Sequence, residues 1–477
     1  MSVTFTKTQQ KQLAILTNKK IVILGGGREG VSTYKFLRSV FPEMLLTIAD
    51  RNEDLMETDP WREILTNDGM LQHVCGQHYL RCLSRFDTVF KTPGLPLSTP
   101  EIQEAIAQKI TITSNMEWFF RLARGQIIGI TGTKGKSTTS SLIAHVLQQG
   151  GLTAFLLGNI GTAPLSYVSQ TNSKTITVLE MSAHQLQELH VSPHISVVQN
   201  ITSEHLDYYH STSEYVEAKT SIVRYQKKTD TIIYCDEFDN SRYFASLTPA
   251  RRLTYGLKNG SGHRAFIHGH GLFYYDPQTG RSESVLNLRL TKLLGRHNYY
   301  NIMPAVILGK LFGLTNEQIS TAIYSFTPLR HRLEYVATVN HTNYYNDSLS
   351  TTPEATIAAI KTFAKKNIHL IAGGYERHQN YTALATTILK NPVRSVILLP
   401  ETGRRLQQNL LEIAEQKKLD LPTIQSVSNL EEAVAFAQKT AQPEDVVLMS
   451  PAAASFGHFK DYAERGDRFC QLVKNLL

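Results

Sequence analysis

Nothing in this chain approaches the roughly 18 uninterrupted apolar residues that a helical membrane span needs. The N-terminal stretch MSVTFTKTQQKQ also lacks the apolar core of a secretory signal. A soluble, cytoplasmic protein without a membrane span is therefore expected. Cysteine is scarce too: Cys75, Cys82, Cys235 and Cys470 are the four in 477 residues. They form neither a CxxC pair nor a metal-ligand spacing, so reduced thiols are expected rather than a disulfide framework. Short-period repeats and low-complexity tracts are absent. The net charge is +8 and the pI about 9.1, yet no dense basic tract exists. Basic residues come scattered or in short pairs such as Lys19-Lys20, Lys227-Lys228 and Arg251-Arg252. That pattern argues against a nucleic-acid partner and fits a site that gathers nucleotide phosphates, or a merely solvated surface.

What is present is an ordinary globular composition, 42% hydrophobic and 19% charged, over a length that suggests about three domains. Strand and helix patterns alternate in three successive segments, which predicts an α/β fold with mainly parallel sheets covered by helices. The first segment opens with the apolar run Lys20–Leu24, the turn Gly25-Gly26-Gly27-Arg28-Glu29-Gly30, a helical pattern through Leu37 and a second strand ending at Asp50. Gly25, Gly27 and Gly30 satisfy G-x-G-x-x-G, with Asp50 about twenty residues on, where a ribose-binding acid belongs. A nucleotide diphosphate site and a bare strand-to-helix turn both fit this segment. The turn Lys91–Pro96 follows another strand, Asp87–Phe90.

The second segment begins with strand Gln126–Ile130, which runs into Gly132-Thr133-Lys134-Gly135-Lys136-Ser137-Thr138 and a helix over Ser137–Gln149. Backbone N–H groups of such a turn converge on a phosphate, and the helix N-terminus adds partial positive charge. A lysine at the place of Lys136 is a point charge for the β and γ phosphates, and a serine hydroxyl at the place of Ser137 can ligate Mg²⁺. Ile130 stands where the general phosphate-loop pattern has glycine, so the fit is to a shorter G-T-x-G-K-S form. Strand Thr175–Leu179 ends at Glu180, a second candidate Mg²⁺ ligand. Strand His194–Val198 exits toward Glu204, His205 and Asp207, and Lys219 follows fourteen residues after His205. A third segment starts after Pro328, with strands at Ile368–Ala372, Val393–Leu399 and Asp445–Met449.

Taken together, G-T-K-G-K-S-T, G-N-I-G (Gly158–Gly161), L-E-M-S-A-H-Q-L, N-I-T-S-E-H-L-D and E-A-K resemble the Mur ligases, ATP-dependent amide-bond formers of peptidoglycan precursor synthesis. The likeness runs on through G-R-H-N-Y-Y-N, R-H-R-L-E, N-D-S and S-P-A-A-A-S to the chain's end. The G-R-E-G loop and the S-P-A-A-A-S-F…R-G-D-R-F ending are similar to the members that add glutamate to UDP-N-acetylmuramoyl-L-alanine. The resemblance implies three domains: a Rossmann-like UDP-binding domain over 1–123, a central ATPase domain over 124–326, and a Rossmann-like C-terminal domain over 327–477. It further implies a monomer whose partners are small molecules, namely ATP, UDP-MurNAc-L-alanine and glutamate.

The family's chemistry activates the substrate carboxylate as an acyl phosphate, which the incoming amine then displaces. By resemblance, Lys136, His205 and Lys219 are the catalytic residues. Ser137, Glu180, His205 and a carbamylated Lys219 would hold two Mg²⁺ ions. ATP would meet the 132–138 loop, Asn298, Asn301, Arg332 and Asp347. The UDP substrate would meet Gly25, Gly27, Arg28, Gly30, Asp50, Arg51, Asn159, Ser182 and Gln185, and glutamate would meet Thr351, Arg377, Ser455 and Tyr462. The amino-acid pocket departs from the family pattern. Leu349 and Arg377 stand where lysines are usual, and Tyr462 stands where phenylalanine is. D-glutamate is the family default, and an L-glutamate variant is an alternative because arginine and lysine are not equivalent carboxylate partners. A folylpolyglutamate-synthetase-like ligase lacks the separate N-terminal UDP domain. A non-catalytic nucleotide-sugar binder would be expected to lose Lys136, Glu180, His205 or Lys219, all of which are present.

Overall fold

The computed structural model describes residues 5–202, 209, 211–258 and 262–477. Five strands open the chain: β1 (Ile21–Leu24), β2 (Leu46–Asp50), β3 (Leu71–Cys75), β4 (Thr88–Lys91) and β5 (Thr111–Thr113). They pair in the order β3-β2-β1-β4-β5, every pair parallel. The order reverses at β1, which opens a crevice beyond its C-terminal end, where the Gly25–Gly30 turn lies. Alternate side chains of β1 serve opposite faces. Ile21 and Ile23 join one apolar cluster, while Leu24 and Val22 join another with Cys82 and Ile102.

The second sheet has nine strands: β6 (Gln126–Thr131), β7 (Ala154–Gly158), β8 (Ile176–Glu180), β9 (Ile195–Val198), β10 (Thr231–Cys235), β11 (Arg251–Gly256), β12 (His263–His268), β13 (Gly271–Asp276) and β14 (Arg281–Asn287). Their order is β14-β13-β12-β11-β10-β9-β6-β8-β7. All pairs are parallel except the meander from β12 to β14. The phosphate-type loop leaves β6, again at the point where the order reverses.

The third sheet comprises β15 (Glu334–Val339), β16 (Thr342–Asn346), β17 (Ile368–Gly374), β18 (Val393–Glu401), β19 (Thr423–Ser426) and β20 (Val446–Met449), in the order β15-β16-β20-β17-β18-β19. Only the β15–β16 hairpin is antiparallel. Leu370 packs with Ile360 and Leu406 on one face, whereas Ile371 packs with Ala433 and Phe469 on the other. A parallel sheet covered on both faces needs such continuous apolar strands. The three-domain α/β architecture expected from the sequence is the one observed.

The chain divides into two compact units, Met1–Leu290 with Tyr300–Tyr324, and Thr291–Tyr299 with Ser325–Leu477. The first unit carries the first two sheets. The boundary expected near residue 123 lies inside it, where Trp118, Phe119 and Leu122 share one apolar cluster with Leu165 and Val168. Among the described residues no helix is long and apolar enough to cross a membrane.

Candidate active site

The loop after β6 is built around one residue that has to be glycine. Gly135 has φ +88°, and a Cβ there would sit 2.5 Å from Asn301 Oδ1. From Gly135 the helix Lys136–Gln149 starts, one residue earlier than its sequence pattern suggested. Thr133 fastens the other side of the loop, its N–H donating to Asn200 O at 2.8 Å and its hydroxyl to Thr202 O at 2.9 Å. Lys134 is exposed, Ser137 is half-buried and Thr138 is buried.

Two lysines point into this loop. Lys136 Nζ donates to Gly132 O and Thr133 O, each at 3.0 Å. Lys219 Nζ, from a side chain only 1% exposed, donates to the same Gly132 O at 3.3 Å and lies 4.6 Å from the Tyr215 ring centroid. Beside them, β8 presents Glu180 opposite Ile130 of β6. Glu180 Oε1 accepts from Asn159 Nδ2 at 2.8 Å, while the buried Oε2 has no hydrogen-bond partner among the described residues. Four of the five catalytic and metal-binding side chains expected from the sequence, Lys136, Ser137, Glu180 and Lys219, thus lie at this loop or on the strand beside it. The fifth, His205, lies outside the described residues, as do Glu204 and Asp207. Among the described residues no group of three or more His, Cys, Asp or Glu could hold a metal ion. Asn301 is buried and accepts from Thr139 Oγ1 at 3.1 Å, so it braces the helix that the loop begins.

The loop after β1 is arranged differently. A Cβ on Gly30 would lie 1.9 Å from Gly25 O, which leaves only glycine room at the start of the helix Arg28–Val40. Asp50 is taken up by backbone: Oδ2 accepts from Gly26 N at 2.7 Å and Oδ1 from Asn52 N at 2.8 Å. Arg51 is exposed. Arg28 reaches the loop after β7, donating to Gly161 O at 2.7 Å, Gly158 O at 3.0 Å and Asn159 O at 3.2 Å. Its neighbour Glu29 accepts from Gln185 Nε2 at 2.7 Å, and Gln185 in turn forms a capping box with Ser182.

Sequence reasoning gave no role to Glu29, Lys91 or Glu188. Lys91, at the end of β4, has its side chain fully buried and forms an ion pair with Glu188. Burial pushes the Lys91 amine below its ordinary range. Burial also raises Glu188 to about 7 against the opposing pull of Lys91, and raises Glu29 as well. The signal available beforehand was a charged residue closing an otherwise apolar strand.

In the second unit, Asp347 is 2% exposed. It accepts from Ser450 Oγ at 2.7 Å and Leu333 N at 3.1 Å, and burial raises its carboxyl to about 6. His297 is lowered to about 4 by burial and by the charge of Arg332. Asn298 is buried, its amide donating to Leu294 O at 2.6 Å. Ser455 is buried and lines a cavity of about 220 Å³ with Gly373, Gly374, His458 and Arg465. Arg377 is exposed, its guanidinium 5.3 Å from the Phe456 ring centroid. Tyr462 is also exposed and begins the helix Tyr462–Lys474, while Thr351 is half-buried. Arg465 was missed by the sequence reading. Only 1% exposed, it ties Ser348 to Ala453 and Ala454 through bonds of 2.9–3.2 Å.

Three family descriptions match the chain: Mur ligase MurD-like, N-terminal domain, over residues 19–114; Mur ligase middle domain over 130–309; and Mur ligase, glutamate ligase domain, over 331–453. A UDP-N-acetylmuramoylalanine--D-glutamate ligase of Geobacillus sp. (strain WCH70) is 31% identical over 98% of this chain and 100% of its own. One of the same name from Acetivibrio thermocellus is 32% identical, covering 97% of each chain. Among solved structures, MurF of Acinetobacter baumannii has a TM-score of 0.61 at 15% identity, covering 100% of this chain and 99% of its own. MurC of Thermotoga maritima has a TM-score of 0.59 at 17% identity, covering 96% and 100%. At such identities the structural likeness concerns the fold alone.

Proposed function

The chain belongs to the Mur ligase family of ATP-dependent amide-bond-forming ligases, and from that premise we propose that it joins D-glutamate to UDP-N-acetylmuramoyl-L-alanine in peptidoglycan precursor synthesis. The choice of D-glutamate follows the names of relatives that match over the whole chain. The observation that carries the reading is the convergence of Lys136 and Lys219 on the carbonyl of Gly132, with Glu180 on the adjoining strand.

A carboxylate is a poor acyl donor because its leaving group would be oxide. In the proposed reaction an oxygen of the alanyl carboxylate bonds to the γ-phosphorus of ATP as the β–γ bridge breaks, releasing ADP. The glutamate amine then attacks the acyl carbon, loses a proton and expels phosphate. Charge spreads over the transferring phosphoryl oxygens, so positioning and neutralisation carry the first step. Lys136 is the proposed counter-charge, exchanging its bonds to the loop carbonyls for phosphate oxygens. The loop N–H groups hold the β-phosphate. In the second unit, Asn298, Arg332 and Asp347 are proposed ATP contacts, and Thr351, Arg377, Ser455 and Tyr462 glutamate contacts.

The donor set suits a hard divalent cation, since Glu180 keeps a buried oxygen without a partner among the described residues and Ser137 offers a hydroxyl at the helix start. Ser137, Glu180, His205 and Lys219 would hold Mg²⁺, which when bound neutralises charge on the phosphoryl oxygens. Addition of the Lys219 amine to CO₂, with loss of a proton, would give the anionic carbamate that such a site needs. The first domain is proposed to take the UDP end on the N–H groups of Gly25–Gly30, with Asp50 and Arg51 toward uracil. On this reading the enzyme works in the cytoplasm as a monomer.

The test is phosphate release from ATP with substrates omitted in turn. Release is expected only with UDP-MurNAc-L-alanine and D-glutamate both present, and little with L-glutamate. Release that ignores the UDP substrate, or equal use of both glutamate enantiomers, would contradict the assignment.

A further inference from the structure

The two residues between Gly27 and Gly30 bond with their side chains to segments of the second sheet. Arg28 donates to three carbonyls of the Gly158–Gly161 loop, and Glu29 takes the amide of Gln185. Both targets belong to the central sheet's end of the first unit. The Gly158–Gly161 loop is in turn fastened to Glu180, through Asn159 Nδ2 to Oε1 at 2.8 Å and Asn159 N to Glu180 O at 2.9 Å. Glu180 closes the strand paired with β6, from which the phosphate-type loop leaves. An unbroken series of polar contacts therefore runs from the glycine turn of the first sheet to the loop of the second. A second link lies alongside, where the buried Lys91 pairs with Glu188. Both links span elements that also share an apolar cluster, so the joint is polar where it nears the site and apolar behind it.

We propose that Arg28 and Glu29 are positioning residues that fix the distance between the diphosphate-binding turn and the phosphorylation centre, rather than ligands of the diphosphate. The inference rests on the reading that this turn takes the UDP end of the substrate. The backbone N–H groups of one turn then grip the diphosphate, while its side chains grip the loop leading to Glu180. The far end of a long substrate reaches the γ-phosphate only if both grips hold, because misplacement of about 1 Å can cost about 100-fold in rate.

The experiment measures three quantities on Arg28→Ala and Gln185→Glu: UDP affinity by calorimetry, KM and kcat in the ligation assay, and amide hydrogen exchange over residues 158–161. Gln185→Glu sets a like charge against Glu29 and serves if Arg28→Ala does not fold. A positioning role predicts UDP affinity within about threefold of the parent, kcat lower by about 100-fold, and faster exchange over 158–161. Loss of UDP affinity by about tenfold or more with kcat retained would make Arg28 a diphosphate ligand and overturn the proposal. Unchanged turnover and exchange in both variants would overturn it as well. If the parent chain shows no ligation at all, the functional reading fails, while the calorimetric and exchange measurements still decide the joint.

Discussion

Two glycine-rich turns in this chain leave the strands at which the order of two largely parallel sheets reverses, and they use their side chains in opposite ways. After β6, Lys136 folds back onto carbonyls of its own loop, so its charge stays with the turn that carries it. After β1, Arg28 and Glu29 leave the turn and fasten to a different sheet, so that turn is an anchor between domains. Both follow the same backbone logic, a tight turn opening a helix at the point where strand order reverses. The side chains between the glycines decide whether such a turn carries chemistry or sets geometry.

The largest effect that separates the two is expected from Lys136→Ala. Loss of a preorganised charge at the transferring phosphoryl group should lower kcat by about 10²–10³-fold. UDP affinity by calorimetry should not change, and an equal loss in both would erase the distinction. The glycines come next. Gly135→Ala forces a left-handed backbone and a contact with Asn301, and should cost about 1–3 kcal/mol in denaturant unfolding. Gly30→Ala meets the Gly25 carbonyl instead, for a similar cost of about 1–3 kcal/mol. The first should depress ATP-dependent turnover and leave UDP binding intact, and the second the reverse.

A pH comparison between the parent and a variant of the joint separates Glu188 from other buried acids such as Asp347, which is raised to about 6. Glu188 is raised from 4.5 to about 7 by burial, and Glu29 is raised too. The folded state thus holds protons that the unfolded chain has released, so their contribution is complete below pH 4.5 and is lost as pH rises through about 7. Lys91 is lowered from 10.5; its contribution is present above that value and is lost as pH falls through its folded pKa, so it runs opposite to that of Glu188. Unfolding followed between those pH values should show a steeper decline for the parent than for the Lys91→Met/Glu188→Gln double variant, and parallel curves would remove Glu188 from the account. The smallest change is Gly27→Ser, at a position with nothing within 4 Å of an added Cβ that forms the N-cap of its helix. Stability should hold or rise by a few tenths of a kcal/mol, while UDP binding weakens because the new side chain stands where a phosphate must approach.

The same contrast explains what could be read from the residues alone. Continuous apolar runs such as Ile21–Leu24 and Gln126–Thr131 declare buried parallel strands, and they end where polar, functional residues begin. The meander from His263 to Asn287 escaped notice because strand Arg281–Asn287 is mostly exposed and its alternation is broken by a register shift near Phe273. Lys136 and Glu180 could be singled out because the loop and strand end that carry them are local, whereas Lys219 was singled out by family resemblance alone, 87 residues from the Gly132 carbonyl it meets. Arg28 was read as a substrate contact, and only the docking of two sheets shows that its guanidinium meets carbonyls some 130 residues away. Lys91 and Arg465 look like surface cations in the chain, and their burial is a property of the assembled core.

The claim on which the rest depends is that the alanyl carboxylate is activated by direct phosphorylation. The most direct measurement supplies UDP-MurNAc-L-alanine labelled with ¹⁸O in both carboxylate oxygens, together with ATP and D-glutamate, and weighs the phosphate released. An acyl phosphate opened by C–O cleavage leaves one labelled oxygen in each phosphate and one in the new amide. Phosphate carrying no label would contradict the mechanism.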